Sequence, residues 1–336
     1  MGKLSASGLL AIVLLLPAFL CGNAMAQEKK VVELKLGNTA PDSDPMNRGV
    51  EKFAELVKTR TNGSVIVKTY FNGQLGNLVQ QVESVKMGAQ DIFNDQLTWF
   101  QEMDGMSGLR YFALPSGFSS HEQAQKFMKS KMGQDLVDTL RTRHGIRLLA
   151  VNWNRPARQV LSKRPIRSLE DLKGLKIRVP EQELWVGAWK AQGANPTPIA
   201  WPELYTGLQQ GIVEALEAPA AVLYANKMHE QAKFLTYTNH SVALVTLAMN
   251  ERRFQSLTPE QQKILLAAAE EGGEENNRVN AIAEKEVVDK FRKEGVTVIE
   301  LKDHAAFWKP QDAFVLEMEN KGKWPKGMMQ EVNKIR

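Results

Sequence analysis

Residues 168–180 read SLEDLKGLKIRVP. Leu175, Ile177 and Val179 alternate with Lys176 and Arg178, which is the period-two pattern of a short strand with one apolar face. Pro180 ends the strand, because proline has no N–H to give to a sheet ladder. Arg178 therefore stands as a fixed cation at the carboxyl end of a strand, the edge at which ligands enter open α/β sheets. Most charged residues are simply solvated, so the flanking chain has to decide between a binding group and a surface group.

Around this strand the sequence builds an α/β unit. Val160 and Leu161 lie on a strand, and residues 168–173 form a helical turn. After Pro180, a helix through Leu184, Trp185, Ala188 and Trp189 ends at Gly193, and Pro196 and Pro198 bracket an extended piece. Pro202 opens a helix carrying Leu204, Leu208 and Gln209, residues 213–216 form the next strand, and Pro219 begins a helix running to about Met228.

A comparable unit precedes it. Residues 31–37 alternate as a strand, and Asp44 caps a helix with Pro45 in its first turn and a stripe of Val50, Phe53, Leu56 and Val57. A strand over 64–71, a helix through Leu78, Val82 and Val85, and a strand near 91–97 complete a βαβαβ order, which implies a mostly parallel sheet flanked by helices. A further helix starts at Ser119 or Ser120, and residues 146–153 read as a strand. Residues 242–249 form an apolar strand suited to the first unit's sheet, so the chain is expected to cross back. Thr258 and Pro259 open a helix whose character persists to Lys293, with a bend expected at Gly272 and Gly273, long enough to lie across both units. A late strand over 296–301 and a helical tail over 310–336 close the chain.

Residues 1–26 read as a targeting segment: Lys3, an apolar run over 9–20, and Ala24-Met25-Ala26 as a small-x-small cleavage site, with cleavage expected after Ala26. The apolar run is shorter than the roughly 20 residues a membrane-spanning helix needs. Cys21, the single cysteine, leaves with this segment, and the alternative is a lipid anchor on Cys21. Loss of Lys3 lowers the net charge from +5 to +4. The densest basic run, from Arg155 to Arg178, is interrupted by Glu170 and Asp171 and lacks aromatic interleaving, so nucleic acid is not an expected partner. His121, His144, His229, His240 and His304 lack metal-ligand spacing, and no phosphate loop, dinucleotide fingerprint or nucleophile elbow is present. No catalytic residue, metal or cofactor is expected.

Five motifs then recur in a fixed order: NGQLG over 72–76, RQVLSKRP over 158–165, LKGLKIRVP over 172–180, GANPTP over 193–198 and ELYTGLQQG over 203–211. Together they closely resemble the TRAP-type (tripartite ATP-independent periplasmic) solute-binding proteins of the dicarboxylate-binding (DctP-like) class, across essentially all of the chain after the targeting segment. The resemblance implies a two-domain periplasmic binding protein of Venus-flytrap form, with mixed, mostly parallel sheets, several crossings between domains and a long helix spanning both. The domains expected are 27–155 with about 243–283, and 156–242 with about 284–336. It also implies that Arg178 makes a bidentate bond to a ligand carboxylate and that Arg158 faces the same anion, with Arg155 as the alternative register. A guanidinium presents a planar fork of donors that matches a carboxylate. Trp201 matches an aromatic position near the second arginine. Asn38, in the loop after the first strand, Trp153 and Asn154 at the crossing, Trp185 and Glu217 complete the expected ligand-binding set.

One departure stands out. Where the family usually reads E-N-P, this chain has Glu217-Ala218-Pro219, so an amide donor is missing and a simple short dicarboxylate is in doubt. The function expected is capture of an organic acid by its carboxylate and delivery to membrane permease subunits, by a monomer in the periplasm. An exported enzyme acting on a carboxylate, or a ligand-sensing module, is the alternative. Dicarboxylates, sugar acids and aromatic acids all remain open as ligands.

Overall fold

The structure, a computed structural model, describes residues 31–180, 183–199 and 203–335, together with Gly2. The expected targeting segment over 1–26, Gly2 apart, and the expected binding residue Trp201 lie outside the described residues.

The chain begins with β1 (Val32–Gly37), α1 (Met46–Arg60), β2 (Val65–Tyr70), α2 (Leu78–Met87) and β3 (Ile92–Gln96), the βαβαβ order that the alternating and helical periods predict. The Asp44 carboxylate accepts from the Met46 N–H at 2.9 Å, so it caps α1 as expected. Asn62 and Gly63 both take the left-handed conformation after α1, the usual way to stop a helix. There follow α3 (His121–Lys129), α4 (Lys131–His144), β4 (Ile146–Asn154), β5 (Arg158–Ser162), β6 (Lys176–Val179), α5 (Glu183–Ala191), β7 (Asn195–Pro198), α6 (Leu204–Gln209), β8 (Ala215–Pro219), α7 (Ala220–Ala225) and β9 (Phe234–Tyr237). The last part contains β10 (Leu244–Asn250), α8 (Glu251–Gln255), α9 (Pro259–Lys293), β11 (Thr297–Glu300), α10 (His304–Trp308), α11 (Asp312–Asn320) and α12 (Met328–Lys334).

Two mixed sheets result. The first has the order β2-β1-β3-β10-β4, and the second β11-β9-β5-β8-β6-β7. In the first, β1 pairs in parallel with β2 and β3 while β10 runs antiparallel between β3 and β4. The whole of β10 is buried, which explains its mostly apolar reading: a strand covered on both faces has no polar face to alternate with. In the second sheet, β6 lies parallel between β7 and β8, so Ile177 is buried between neighbours.

The helix α9 runs uninterrupted from its Thr258 capping box to Lys293. Gly272 and Gly273 serve close packing within it: a Cβ on Gly273 would stand 2.7 Å from Trp153 Cδ1, and one on Gly272 would stand 3.0 Å from Trp153 Cζ2. Trp153, fully buried, donates its indole N–H to the Ala269 carbonyl at 2.9 Å. This fastens α9 across β4. In the tail, β11 joins the edge of the second sheet, while Val315 and Met318 of α11, Trp324 of the following loop, and Met328 and Val332 of α12 join the core built on Phe93, Phe100, Phe112 and Phe127.

Candidate functional site

A cavity of about 540 Å³ lies between the two sheets. Strand ends supply much of its lining. Asp95 and Gln96 come from the end of β3, Pro180 follows β6, Ala218 and Pro219 end β8, and Arg155 follows β4. The carboxyl ends of strands in both sheets thus point at one space, the arrangement in which open α/β sheets bind ligands. Asn280, Ala283 and Glu284 of α9 form another wall.

Two arginines face the cavity, and each is held by a carboxylate. Arg158 Nη2 donates to Glu217 Oε1 at 2.8 Å and to the Glu217 carbonyl at 2.9 Å, while its Nε donates to Glu217 Oε2. Its guanidinium carbon sits 5.1 Å from the centre of the Trp185 ring, so stacking on an aromatic face orients the fork. Glu217 is fully buried, and its Oε2 also receives His240 Nε2 at 3.1 Å. A carboxylate only accepts, so Nε2 carries the imidazole proton and Nδ1 accepts from the Thr238 hydroxyl at 2.7 Å. Burial alone would raise the Glu217 carboxyl, but the Arg158 charge and the hydrogen bonds from Arg158 and His240 outweigh it and hold it below the ordinary range. Burial lowers His240, with Glu217 opposing in part. Trp185, Trp189 and Trp308 surround the imidazole.

Arg155 donates through Nη1 to both oxygens of Asp44, at 3.1 and 2.9 Å. Asp44 therefore both caps α1 and fixes a cavity cation. Asp95, 6 % exposed, accepts from the Gln96 N–H at 2.6 Å and from the Trp99 indole N–H at 3.1 Å. Its burial raises the carboxyl above the usual range against the pull of Arg155. Glu284 is raised by burial as well, eased by the Tyr237 hydroxyl that donates to it at 3.1 Å.

Of the residues expected from sequence, Arg158, Glu217 and Trp185 come together, with Glu217 behind Arg158 instead of on the lining. Arg178 is 5 % exposed and its Nε donates to the Ile199 carbonyl at 2.8 Å. The described lining includes Pro180 but not Arg178. Asn38 is fully buried, giving its amide to Asn47 and Asn94 and accepting from the Ala40 N–H. Asn154 is bonded to Gln125, Asn276, Asn277 and Asn280. With Trp153 pinned to α9, these three do not line the cavity, and each secures a crossing or a loop. The sequence reading passed over Asp95, Trp99 and Glu284, and read Asp44 only as a helix cap. No local pattern marked Asp95, which sits among polar neighbours in β3 (IFNDQ), and Asp44 gains its place in the site only through Arg155, 111 residues away. Among the described residues no group of three or more His, Cys, Asp or Glu side chains is placed to hold a metal ion, and no helix is long and apolar enough to cross a membrane.

The family model described as bacterial extracellular solute-binding protein, family 7, matches residues 36–321. The chain is 31% identical over 276 residues to the 2,3-diketo-L-gulonate-binding periplasmic protein YiaO of Escherichia coli strain K12, covering 82% of this chain and 83% of that one. Its fold is similar to that of a TRAP periplasmic solute binding protein from Ochrobactrum anthropi whose C-terminus is bound in its ligand binding pocket, with TM-score 0.83, 27% identity and coverage of 92% and 95%. It is also similar to one from Actinobacillus succinogenes with bound L-galactonate, with TM-score 0.73, 28% identity and coverage of 90% and 99%.

Proposed function

For a chain that belongs to the bacterial extracellular solute-binding proteins of family 7, we propose that the cavity between the sheets captures an organic acid with its carboxylate against the arginines. The protein is the solute-binding component of a TRAP transporter, and its family consists of transport binding proteins. The observation that carries the site assignment is that Arg155 and Arg158 both face one cavity, each oriented by its own carboxylate and the second also by Trp185. Oriented guanidinium groups lose little freedom when they meet a ligand carboxylate, which favours tight binding.

Arg178 is the third proposed anchor, by its place on the strand that the family motif marks, and Trp201 is proposed, as the resemblance implies, as an aromatic group for the second arginine, Arg158. The lobes proposed are those read from the sequence, residues 27–155 with about 243–283 and residues 156–242 with about 284–336. Closure of the lobes on the ligand favours the state delivered to the permease. The mature protein acts as a monomer in the periplasm after cleavage behind Ala26.

Thermal unfolding against hydroxy acids, sugar acids, dicarboxylates and aromatic acids tests this. A ligand at about 100 times its dissociation constant adds roughly 2.7 kcal/mol. Stabilisation by a carboxylate that is lost in Arg158→Lys supports the reading. A panel with no response after refolding to strip retained ligand would overturn it.

A further inference from the structure

Asp95 lies at the carboxyl end of β3, buried but on the cavity lining. Its Oδ1 accepts from the Gln96 N–H at 2.6 Å and from the Trp99 indole N–H at 3.1 Å. Among the described residues Oδ2 has no partner, and it is not enclosed, so it is the oxygen that Asp95 can offer to the cavity. The charged groups facing this carboxyl are Arg155, after β4, and Asp44, ahead of α1. Its partner on β10 is Thr246, whose hydroxyl donates to the Ala150 carbonyl. Arg155 is already matched by Asp44, and Arg158 by Glu217. Asp95 is therefore an acid in excess of these cations, on a wall that receives an anion. Glu284 is a further acid on the lining, but Tyr237 occupies one of its oxygens and the other is enclosed.

We propose that Asp95 takes up a proton from solvent as an anionic ligand enters, and that its Oδ2–H then donates to a carboxylate oxygen of that ligand. This rests on the reading that the ligand carboxylate sits on the arginines. A carboxylate on Arg155 comes beside Asp95, and two carboxylates side by side do not both stay ionised, so one proton serves the pair. An ionised Asp95 offers only acceptors to a group that also only accepts. Once protonated, it gives an O–H to an oxyanion, one of the shorter and stronger kinds of hydrogen bond. Oδ1 keeps its two N–H donors, which leaves Oδ2 to carry the proton. Burial of the carboxyl already favours its neutral form. Release of the ligand returns the proton to solvent.

Titration calorimetry with lactate, gluconate, succinate and benzoate tests this, carried forward with whichever binds most tightly. All four are ionised above about pH 6.5, so a proton taken up on binding goes to the protein. Paired titrations in HEPES and in Tris at one pH read the number of protons, because the two buffers differ in ionisation enthalpy. Between about pH 6.5 and 9, uptake approaches one proton per ligand and affinity falls by up to tenfold per pH unit. D95N keeps an oxygen for the Gln96 and Trp99 donors and turns a permanent N–H donor toward the ligand. It binds without proton uptake, with a flat pH profile, and at about pH 9 roughly tenfold or more tightly than the parent. Melting curves report that it folds, and D95S, which also lacks the charge and should also take up no proton, replaces it if it does not. A parent affinity that is flat or rises with pH overturns the inference while leaving the carboxylate reading standing. Uptake that persists in the variant does the same, since it assigns the proton to His240 or another group. No heat with any of the four acids, from a folded protein, removes the carboxylate reading and this inference with it.

Discussion

Arg158 grips Glu217 twice through one nitrogen, at 2.8 Å from the side-chain oxygen Oε1 and 2.9 Å from the main-chain carbonyl. The strands that carry them, β5 and β8, are antiparallel neighbours in which Arg158 pairs with Pro219 and Val160 pairs with Glu217. The cation that faces the cavity is thus cross-braced to a strand whose end also lines it. Glu217 is fully buried and the Arg158 side chain is 24 % exposed, so the pair is unlike a surface ion pair.

Glu217→Ala leaves a cavity cation without its brace and strips His240 of its acceptor. Losing one member of a buried pair costs about 3–5 kcal/mol. Urea unfolding of the ligand-free protein should show a lower midpoint with little change in slope. A loss below about 1 kcal/mol, the size of a surface pair, would show that the brace is not structural.

Arg158→Lys keeps the positive charge but loses the planar fork and the stacking on Trp185. Charge-assisted hydrogen bonds contribute about 1.5–3 kcal/mol each, so affinity for the acid that gives the largest thermal shift should fall by roughly 10–100-fold. Calorimetry measures this directly. An unaltered dissociation constant would move the carboxylate contact to Arg155 and Arg178.

Acid should weaken the fold through His240. Its folded-state affinity for protons is lowered by burial, so the unfolded chain binds the proton more readily. That contribution is complete above about pH 6.5, the ordinary histidine value, and declines as pH falls below it. The Glu217 carboxyl, also held low, extends the loss to lower pH, from its unfolded value near 4.5 downward. Asp95 and Glu284 act with the opposite sign, because raised carboxyls take up protons more readily in the folded state. His240→Gln should therefore flatten the stability profile between neutrality and about pH 5, where one proton changes stability by up to about 1.4 kcal/mol per pH unit. A profile with the same slope in the variant and the parent would contradict this.

Gly49→Ala sets helix propensity against packing. Alanine is favoured by about 1 kcal/mol in a helix interior, yet its Cβ would fall 2.6 Å from the Gly272 carbonyl oxygen and 2.9 Å from Trp153 Cζ3. Neither a main-chain oxygen nor a buried indole yields easily, and overpacking costs about 1–3 kcal/mol. Net destabilisation in a urea melt is the expected outcome, and a gain would show that α1 and α9 can separate at no cost.

Much of the fold was legible because its signals are local. Alternation at 175–179, the capping pattern at Thr258-Pro259 and the apolar run at 242–249 report whether a residue faces core or water, and that property follows from neighbours two to four positions away. The site was legible in part for the same reason. Arg158, Trp185 and Glu217 sit on elements whose motifs could be recognised in order. Asn38, Trp153 and Asn154 were placed correctly on loops and crossings, but their polar atoms turn to Asn94, Ala269 and Asn276. Side-chain direction at a strand end depends on which element packs there, and that is absent from any local pattern.

Most of the order of strands and helices, though not β9, and the return of the chain to its first sheet were determined by sequence alone. Tertiary structure alone decided that Asp44 would hold Arg155 across 111 residues, that His240 would stand behind Glu217, and that Asp95 and Glu284 would line one cavity. Periodicity encodes burial, which is a property of one element. A binding site encodes distance between elements, and distance exists only once sheet order and the docking of α9 have brought remote segments together.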